Sequence, residues 1–397
     1  MYLTKEEEKI YDGELGWAYQ VSMRILVKLG DLYGAKHLIP IEYAHISGVS
    51  YKTIGDASID FLRALVDSNG RAKVKATINP SGIDYEYAAF AHLPKELVEK
   101  QKEIISLYKR MGIDAVLTCT PYYLESPRSG VHVAWAESSA VVYANSILGV
   151  WTNREGGPSA LASALIGKTP DYGLHRPENR RASVLVRVKA KLENEADYGA
   201  LGIYLGRILG DKIPLLYGLP RTGEFFLKQM GAAMATSGMI PMFHLGEPEG
   251  EPADIVEKIT VEDKDLHSVR EELSTASSSK VDLIFIGCPH CSLNEVKFVA
   301  ELIRGKRVRD DVQFWVCTSR FIRNKAKSYV RIIEGAGGRV VCDTCAVVTW
   351  LKELGIDTLM TNSAKTAHYA PLMNGAKVLF RPLRECVKAA CQKISKA

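Results

Sequence analysis

The stretch V-D-L-I-F-I-G-C-P-H-C-S, residues 281–292, decides the fold. Its apolar run is too short for a helix, and Gly287 and Pro289 stop it, so Val281–Ile286 reads as a buried strand that runs into a tight turn. Ser292 with Glu295 then makes a capping-box pattern that opens a helix over Leu293–Ile303. The same strand, turn and helix unit recurs downstream. Strands are predicted at about 281–286, 312–316, 338–342, 357–360 and 377–380, separated by helices such as Phe321–Ile333 and Val347–Leu354. Such alternation specifies a doubly wound parallel sheet.

Working back toward the start, the pattern is again α/β. Thr4 and Glu7 form a capping box, and one long helix is expected from Lys5 to about Leu29 in spite of Gly13 and Gly16. Strands are expected at Leu38–Ile46, Lys73–Ile78 and Ala115–Thr118, each running into a polar or Gly/Pro turn, with helices at Ile54–Ser68 and Pro94–Met111 between them. From Trp151 to Asn179 the text turns glycine-rich and loop-like, which in a compact domain points to function. The acidic Gly246–Pro252 stretch reads as a linker. The expected division is therefore an N-terminal α/β region, 1–246, with a Gly-rich active-site loop, and a C-terminal doubly wound lobe, 255–397, carrying Cys288, Cys345 and Lys365.

Composition narrows the function. A chain of 397 residues that is 47% hydrophobic and 24% charged is neither a small stapled scaffold nor a disordered tail. Lysine plus arginine number 51 against 46 acidic residues, a balance of +5 with the signs interspersed, so no nucleic-acid partner is expected. No run approaches the ~20 apolar residues of a membrane span, and no leader pattern opens the chain, so a cytoplasmic protein is expected. Eight cysteines are too few for a disulfide framework in a chain of this size and read as reduced thiols.

The placement of those thiols is informative, because ligands of open α/β sheets bind beyond the carboxyl ends of the strands. Cys119, Cys288, Cys317, Cys342 and Cys345 all fall at predicted strand ends. Cys288 and Cys291 precede a helix start, and Asp343 is a natural N-cap that would put Cys345 in a first helical turn; both settings favour thiolate. C-P-H-C at 288–291 and C-D-T-C at 342–345 also suit a tetrahedral zinc site, although 50 residues separate the pairs and both sit at expected active-site ends. Cys317, Cys386 and Cys391 read as core packing, and His290 is left without a role. Lys365 is a point charge for a phosphate or carboxylate. Gly48-Val49-Ser50 and Asn79-Pro80 offer N–H groups, an amide and a hydroxyl to an oxygen-rich ligand.

The blocks H-I-S-G-V-S at 45–50, I-N-P-S-G at 78–82, T-C-T-P-Y-Y at 118–123, W-A-E-S-S-A-V at 135–141, T-N-R-E-G-G-P-S at 152–159, G-C-P-H-C-S at 287–292, D-T-C at 343–345 and N-S-A-K at 362–365 resemble the aconitase X family over nearly the whole chain. The resemblance implies an aconitase-like fold of parallel-sheet βα lobes with the active site between them at strand C-terminal ends. It implies a hydro-lyase that dehydrates a hydroxy acid at a 4Fe-4S cluster, three thiolates leaving one iron open. The implied ligands are Cys119, Cys288 and Cys345, with Cys291 and Cys342 as the alternative members of their pairs. Gly48, Val49, Ser50, Asn79, Pro80, Glu137, Ser138 and Lys365 would line the substrate pocket, Lys365 and Ser138 as catalytic groups, and Arg154 is a weaker candidate. The implied substrate is (R)-5-phosphomevalonate, with cis-3-hydroxy-L-proline as the alternative. The swivelling domain that supplies the base in aconitase-like enzymes is not expected within this chain, which runs to K-I-S-K-A at 393–397, and the resemblance implies that a small subunit carries that base, a serine.

Overall fold

The computed structural model describes residues 1–220, 223–248, 255–276 and 280–391, so most of the expected linker, residues 249–252, and the terminal 393–397 lie outside the described residues. Strands are β1 (Leu38–Pro40), β2 (Tyr43–Ile46), β3 (Lys75–Ile78), β4 (Val133–Trp135), β5 (Lys168–Pro170), β6 (Val184–Val188), β7 (Pro214–Tyr217), β8 (His244–Leu245), β9 (Glu257–Val261), β10 (Leu283–Ile286), β11 (Gln313–Thr318), β12 (Arg339–Cys342), β13 (Thr358–Thr361) and β14 (Lys377–Phe380). The chain forms two compact units: Met1–Ser81 with Pro94–Arg181, and Gly82–Leu93 with Ala182–Ala397. Among the described residues, no helix is long and apolar enough to cross a membrane.

In the first unit β3, β2 and β4 make a parallel sheet in that order, with His45 opposite Thr77 on one side and Trp135 on the other. Parallel pairing puts the carboxyl ends of all three at one edge. Helices Tyr51–Asp67 and Lys95–Arg110 bury Ile59, Leu62, Leu65, Ile104 and Leu107 in a core shared with Ile46 and Ile78. Burial of each such side chain contributes about 1.5–3 kcal/mol, which outweighs the cost of ordering it.

Four expectations change here. The strand expected over Leu38–Ile46 is two, β1 and β2, which join different sheets: β1 pairs antiparallel with β5, and β2 lies between β3 and β4. The opening helix is two, Lys5–Asp12 and Trp17–Leu32, because Gly13 takes φ +96° and caps the first. Ala115–Thr118 is not a strand; after a single bridge from Thr77 to Asp114, the Val116 N–H turns back to the Asp114 carbonyl. The glycine-rich stretch contains a helix, Gly157–Ile166, whose residues 159–166 are all buried; with no exposed face it has no amphipathic period to read.

The second unit carries the predicted doubly wound sheet. Its strand order is β12-β11-β10-β13-β14, with every neighbouring pair parallel. A second sheet, β8-β7-β6-β9, is also parallel. Segment Gly82–Leu93 belongs to this unit, and Tyr87, edge-on, and Phe90, tilted, pack their rings against Trp315 at centroid distances of 5.9 and 5.7 Å. The large sheet reverses its winding between β10 and β13, and the loops beyond the carboxyl ends of those strands form the crevice where this topology binds ligands.

Candidate active site

In the second unit the turn after β10 holds Cys288. Gly287 has φ +115°, and a Cβ there would meet the Cys317 carbonyl at 2.3 Å, so only glycine lets β10 approach β11 so closely before the turn. Ser292 and Glu295 cap the helix Leu293–Ile303, as expected. The turn is pinned along its length. Cys291 N–H donates to Cys317 O at 2.9 Å, Thr318 Oγ1 donates to Cys291 O at 2.6 Å, and Ser292 N–H donates to Glu295 Oε2 at 2.8 Å.

The turn after β12 holds Cys345. The predicted helix at Val347–Leu354 is absent there, because the side chain of Asn374 donates to the carbonyls of Ala346 and Val347 and so takes up acceptors a helix would use. Asp343 accordingly sits at φ +64° rather than in an N-cap. The N–H groups of Val347 and Val348 nevertheless hydrogen-bond to Cys345.

The thiols are more strongly buried than their helix-end setting suggested. Burial, then the neighbouring Cys288, pushes Cys345 up to about 12, against the pull of those N–H groups and of Lys365. Burial raises Cys291, Cys317 and Cys342 likewise. The expectation of free thiolates at Cys345 and Cys291 is therefore corrected: desolvation exceeds the helix-end effect.

Lys365 lies in the first turn of Ala364–Asn374, beyond β13, and is close enough to Cys345 to lower its thiol. Beside it, Asn362 donates to Glu195, a buried carboxyl pushed up by desolvation, at 3.3 Å. Cys288, Cys345 and Lys365 are thus brought together within this unit.

In the first unit the predicted residues gather at the edge formed by the ends of β2, β3 and β4. Gly48 has φ +74°, which lets Ser47–Ser50 turn sharply after β2. Buried Gln101 holds that turn, donating to Val49 O at 2.9 Å and accepting from Tyr51 N–H at 3.0 Å. Asn79 follows β3 and donates to Glu137 Oε2 at 2.7 Å, with Pro80 next to it. Glu137 follows β4 and caps the short helix Ser138–Tyr143. Ser139 donates its hydroxyl to Glu137, at 2.8 Å; Ser138 is half-buried at the helix start. Cys119 is buried just after Thr118, whose N–H bonds to Ile78 O at the end of β3. Arg154 forms a single bridge with Trp135.

Sequence reasoning missed His45. It is fully buried, with Nδ1 2.8 Å from Thr77 Oγ1 and Nε2 2.8 Å from Asn79 Oδ1, and burial lowers it to about 4. Tyr43 bonds to the same Thr77 hydroxyl. The only available signal was its place in H-I-S-G-V-S. Ser139 and Gln101 were missed for the same reason: their partners are set by the fold.

Among the described residues, no group of three or more histidine, cysteine, aspartate and glutamate side chains stands ready to hold a metal ion. The chemistry of the donors within the second unit does fit a thiolate-bound iron group. Two buried sulfurs from separate strand ends lie near one another, with N–H donors to one of them and an ammonium nearby.

The comparisons agree across the chain. Residues 1–178, 182–271 and 281–392 match, in turn, the aconitase X first, second and third domains. The phosphomevalonate dehydratase large subunit of Thermococcus kodakarensis is 49% identical over 376 residues, covering 93% of this chain and 95% of that protein. A crystal structure of Thermococcus kodakaraensis aconitase X in its holo-form superposes with a TM-score of 0.91 at 47% identity, covering 98% of this chain and all of the other. The cis-3-hydroxy-L-proline dehydratase of Hypocrea jecorina is more distant, 35% identical over 98% of this chain but only 68% of its own length.

Proposed function

Because the chain belongs to the aconitase X family, we propose that it is the large subunit of a hydro-lyase that converts (R)-5-phosphomevalonate to trans-anhydromevalonate 5-phosphate and water. The observation that carries the substrate is the 49% identity with a phosphomevalonate dehydratase large subunit of matching length, against 35% with a longer hydroxyproline dehydratase. A zinc-stapled binding protein has no such support.

The reaction removes a proton from C2, next to the carboxylate, and hydroxide from C3, leaving a C2–C3 double bond and water. A 4Fe-4S cluster with one iron free of protein ligands would supply the Lewis acid that makes hydroxide a tolerable leaving group. Cys119, Cys288 and Cys345 would hold it. Cys288 and Cys345 are favoured over Cys291 and Cys342 because they keep slight exposure, 4% and 7%, whereas the other two have none.

Lys365 supplies a fixed positive charge for an anionic group of the substrate. Glu137, held by Asn79 and Ser139, and Ser138 at the helix start present oxygen groups, and the Gly48-Val49-Ser50 turn with Asn79-Pro80 offers N–H groups and an amide to the substrate's oxygens. The base is assigned to a serine of a small-subunit partner; the relatives' designation as large subunits supports a second chain. The free cysteines suit a reducing, cytoplasmic setting.

Anaerobic co-expression with the small subunit tests the proposal. The purified pair should contain iron and sulfide and dehydrate phosphomevalonate, and Ser in place of Cys119, Cys288 or Cys345 should abolish iron retention. Turnover of cis-3-hydroxy-L-proline alone, or full turnover without iron and sulfide, would overturn it.

A further inference from the structure

His290 has no exposed surface, and its Nε2 lies 2.9 Å from the carbonyl oxygen of Thr344, 54 residues away. A carbonyl only accepts, so Nε2 carries the proton and donates; that nitrogen is not a metal ligand. The bond joins the Cys288–Cys291 turn to the Cys342–Cys345 turn. Each turn is anchored separately. On one side Lys228 Nζ donates to His290 O at 3.1 Å and pairs with Glu295, both side chains being buried, at 1% and 7% exposure. On the other side Cys342 N–H donates to Asp84 Oδ2 at 2.8 Å.

A buried lysine–glutamate pair recovers little net stability once its desolvation is counted, so its placement is better explained by what it orients. Here it orients the backbone from which His290 reaches across. We propose that His290 is a positioning residue that holds the Cys288 and Cys345 turns in register, so that the protein fixes the spacing of these two sulfurs before any metal arrives. Preorganisation of this kind avoids the entropy of ordering two loops at the moment of binding. The inference rests on Proposed function only in taking Cys288 and Cys345 as ligands.

Two amide variants test it, because both keep polarity and similar bulk but differ in reach. The amide nitrogen of glutamine stands where Nε2 stands, and that of asparagine stops near Nδ1. The full chain, stripped of iron with a chelator, is titrated with cadmium ion alone and followed by thiolate-to-cadmium charge-transfer absorbance. His290→Gln should bind cadmium within about threefold of the unmodified chain and His290→Asn about tenfold more weakly, the effect of one lost hydrogen bond. After anaerobic reconstitution of the complex, the Asn variant should also lose iron to chelator faster. Equal affinities for the two variants, or loss in both, would overturn the assignment. If the unmodified chain binds cadmium tightly but takes up no iron and sulfide, the dehydratase reading fails, while the Gln and Asn comparison still decides the role of His290.

Discussion

Asn79 donates its amide proton to Glu137 across 2.7 Å and turns its amide oxygen to His45 Nε2 at 2.8 Å. The carboxylate accepts only, which fixes the amide orientation and requires Nε2 to carry the imidazole proton. Tyr43, Thr77, His45, Asn79 and Glu137 therefore form one polar chain, buried except at half-buried Asn79, that reaches from the sheet to its carboxyl edge.

Asn79→Asp isolates the last link of that chain. An aspartate still accepts from His45 but sets a second carboxylate against Glu137. The loss of the bond, with repulsion added, should lower stability by about 1–3 kcal/mol. The deficit should shrink as pH falls and one carboxyl takes up a proton. Thermal midpoints of variant and parent across a pH series measure it; a deficit independent of pH would exclude the charge argument.

His45 should make the protein acid-sensitive. Its folded value is about 4 against 6.5 for an unburied imidazole, so between these values the unfolded chain binds a proton that the folded chain refuses. Stability then falls as pH drops through this window, by up to roughly 3 kcal/mol from this group. His175, pushed to about 3 by burial, acts in the same direction, so the useful quantity is the difference from a His45→Gln variant. Urea midpoints of that variant should vary less steeply with pH over this window; identical slopes would refute the assignment.

The doubly wound sheet was legible because its strands are short apolar runs, all but β12 closed by glycine, proline or a cap, and local rules suffice there. Of the candidate site, the sequence pointed to Cys288, Cys345 and Lys365 by residue type alone, and the fold brings these three near one another. His45 and His290 were not legible as linkers, since their partners lie 32 to 54 residues away and no periodicity connects them. The missing helix after Cys345 failed for a related reason: a distant asparagine, Asn374, competes for the carbonyls that local propensity assigns to the helix.

The Lys228–Glu295 pair should behave as a buried charge pair. Lys228→Met alone strands the Glu295 carboxylate and should cost about 3–5 kcal/mol. Lys228→Met with Glu295→Gln removes both charges and leaves an amide oxygen to accept from Ser292 N–H, so most of the loss should return. A double-mutant cycle in urea measures the coupling, and additive losses would show that the pair is not electrostatically linked.

One guanidinium, Arg320, reaches Asp84 at 2.6 Å, Glu86 at 2.5 Å and Asp343 at 2.5 Å. Exposure decides which of these matters: Asp84 and Asp343 are 5% and 9% exposed, and Glu86 is 66% exposed. Glu86→Gln should therefore change stability by less than about 1 kcal/mol, as for surface pairs generally. Arg320→Lys keeps the charge but loses the planar fork whose separate N–H groups are aimed at Asp84 and Asp343, and a shorter point-charge ammonium does not reproduce that geometry. A loss of about 1.5–3 kcal/mol is expected, that of a hydrogen bond to a charged group. Asp84 also accepts from Cys342 N–H, so hydrogen exchange at that amide should accelerate in Arg320→Lys and stay unchanged in Glu86→Gln. Unaltered exchange in both would mean that Asp84 holds the cysteine turn without help from Arg320.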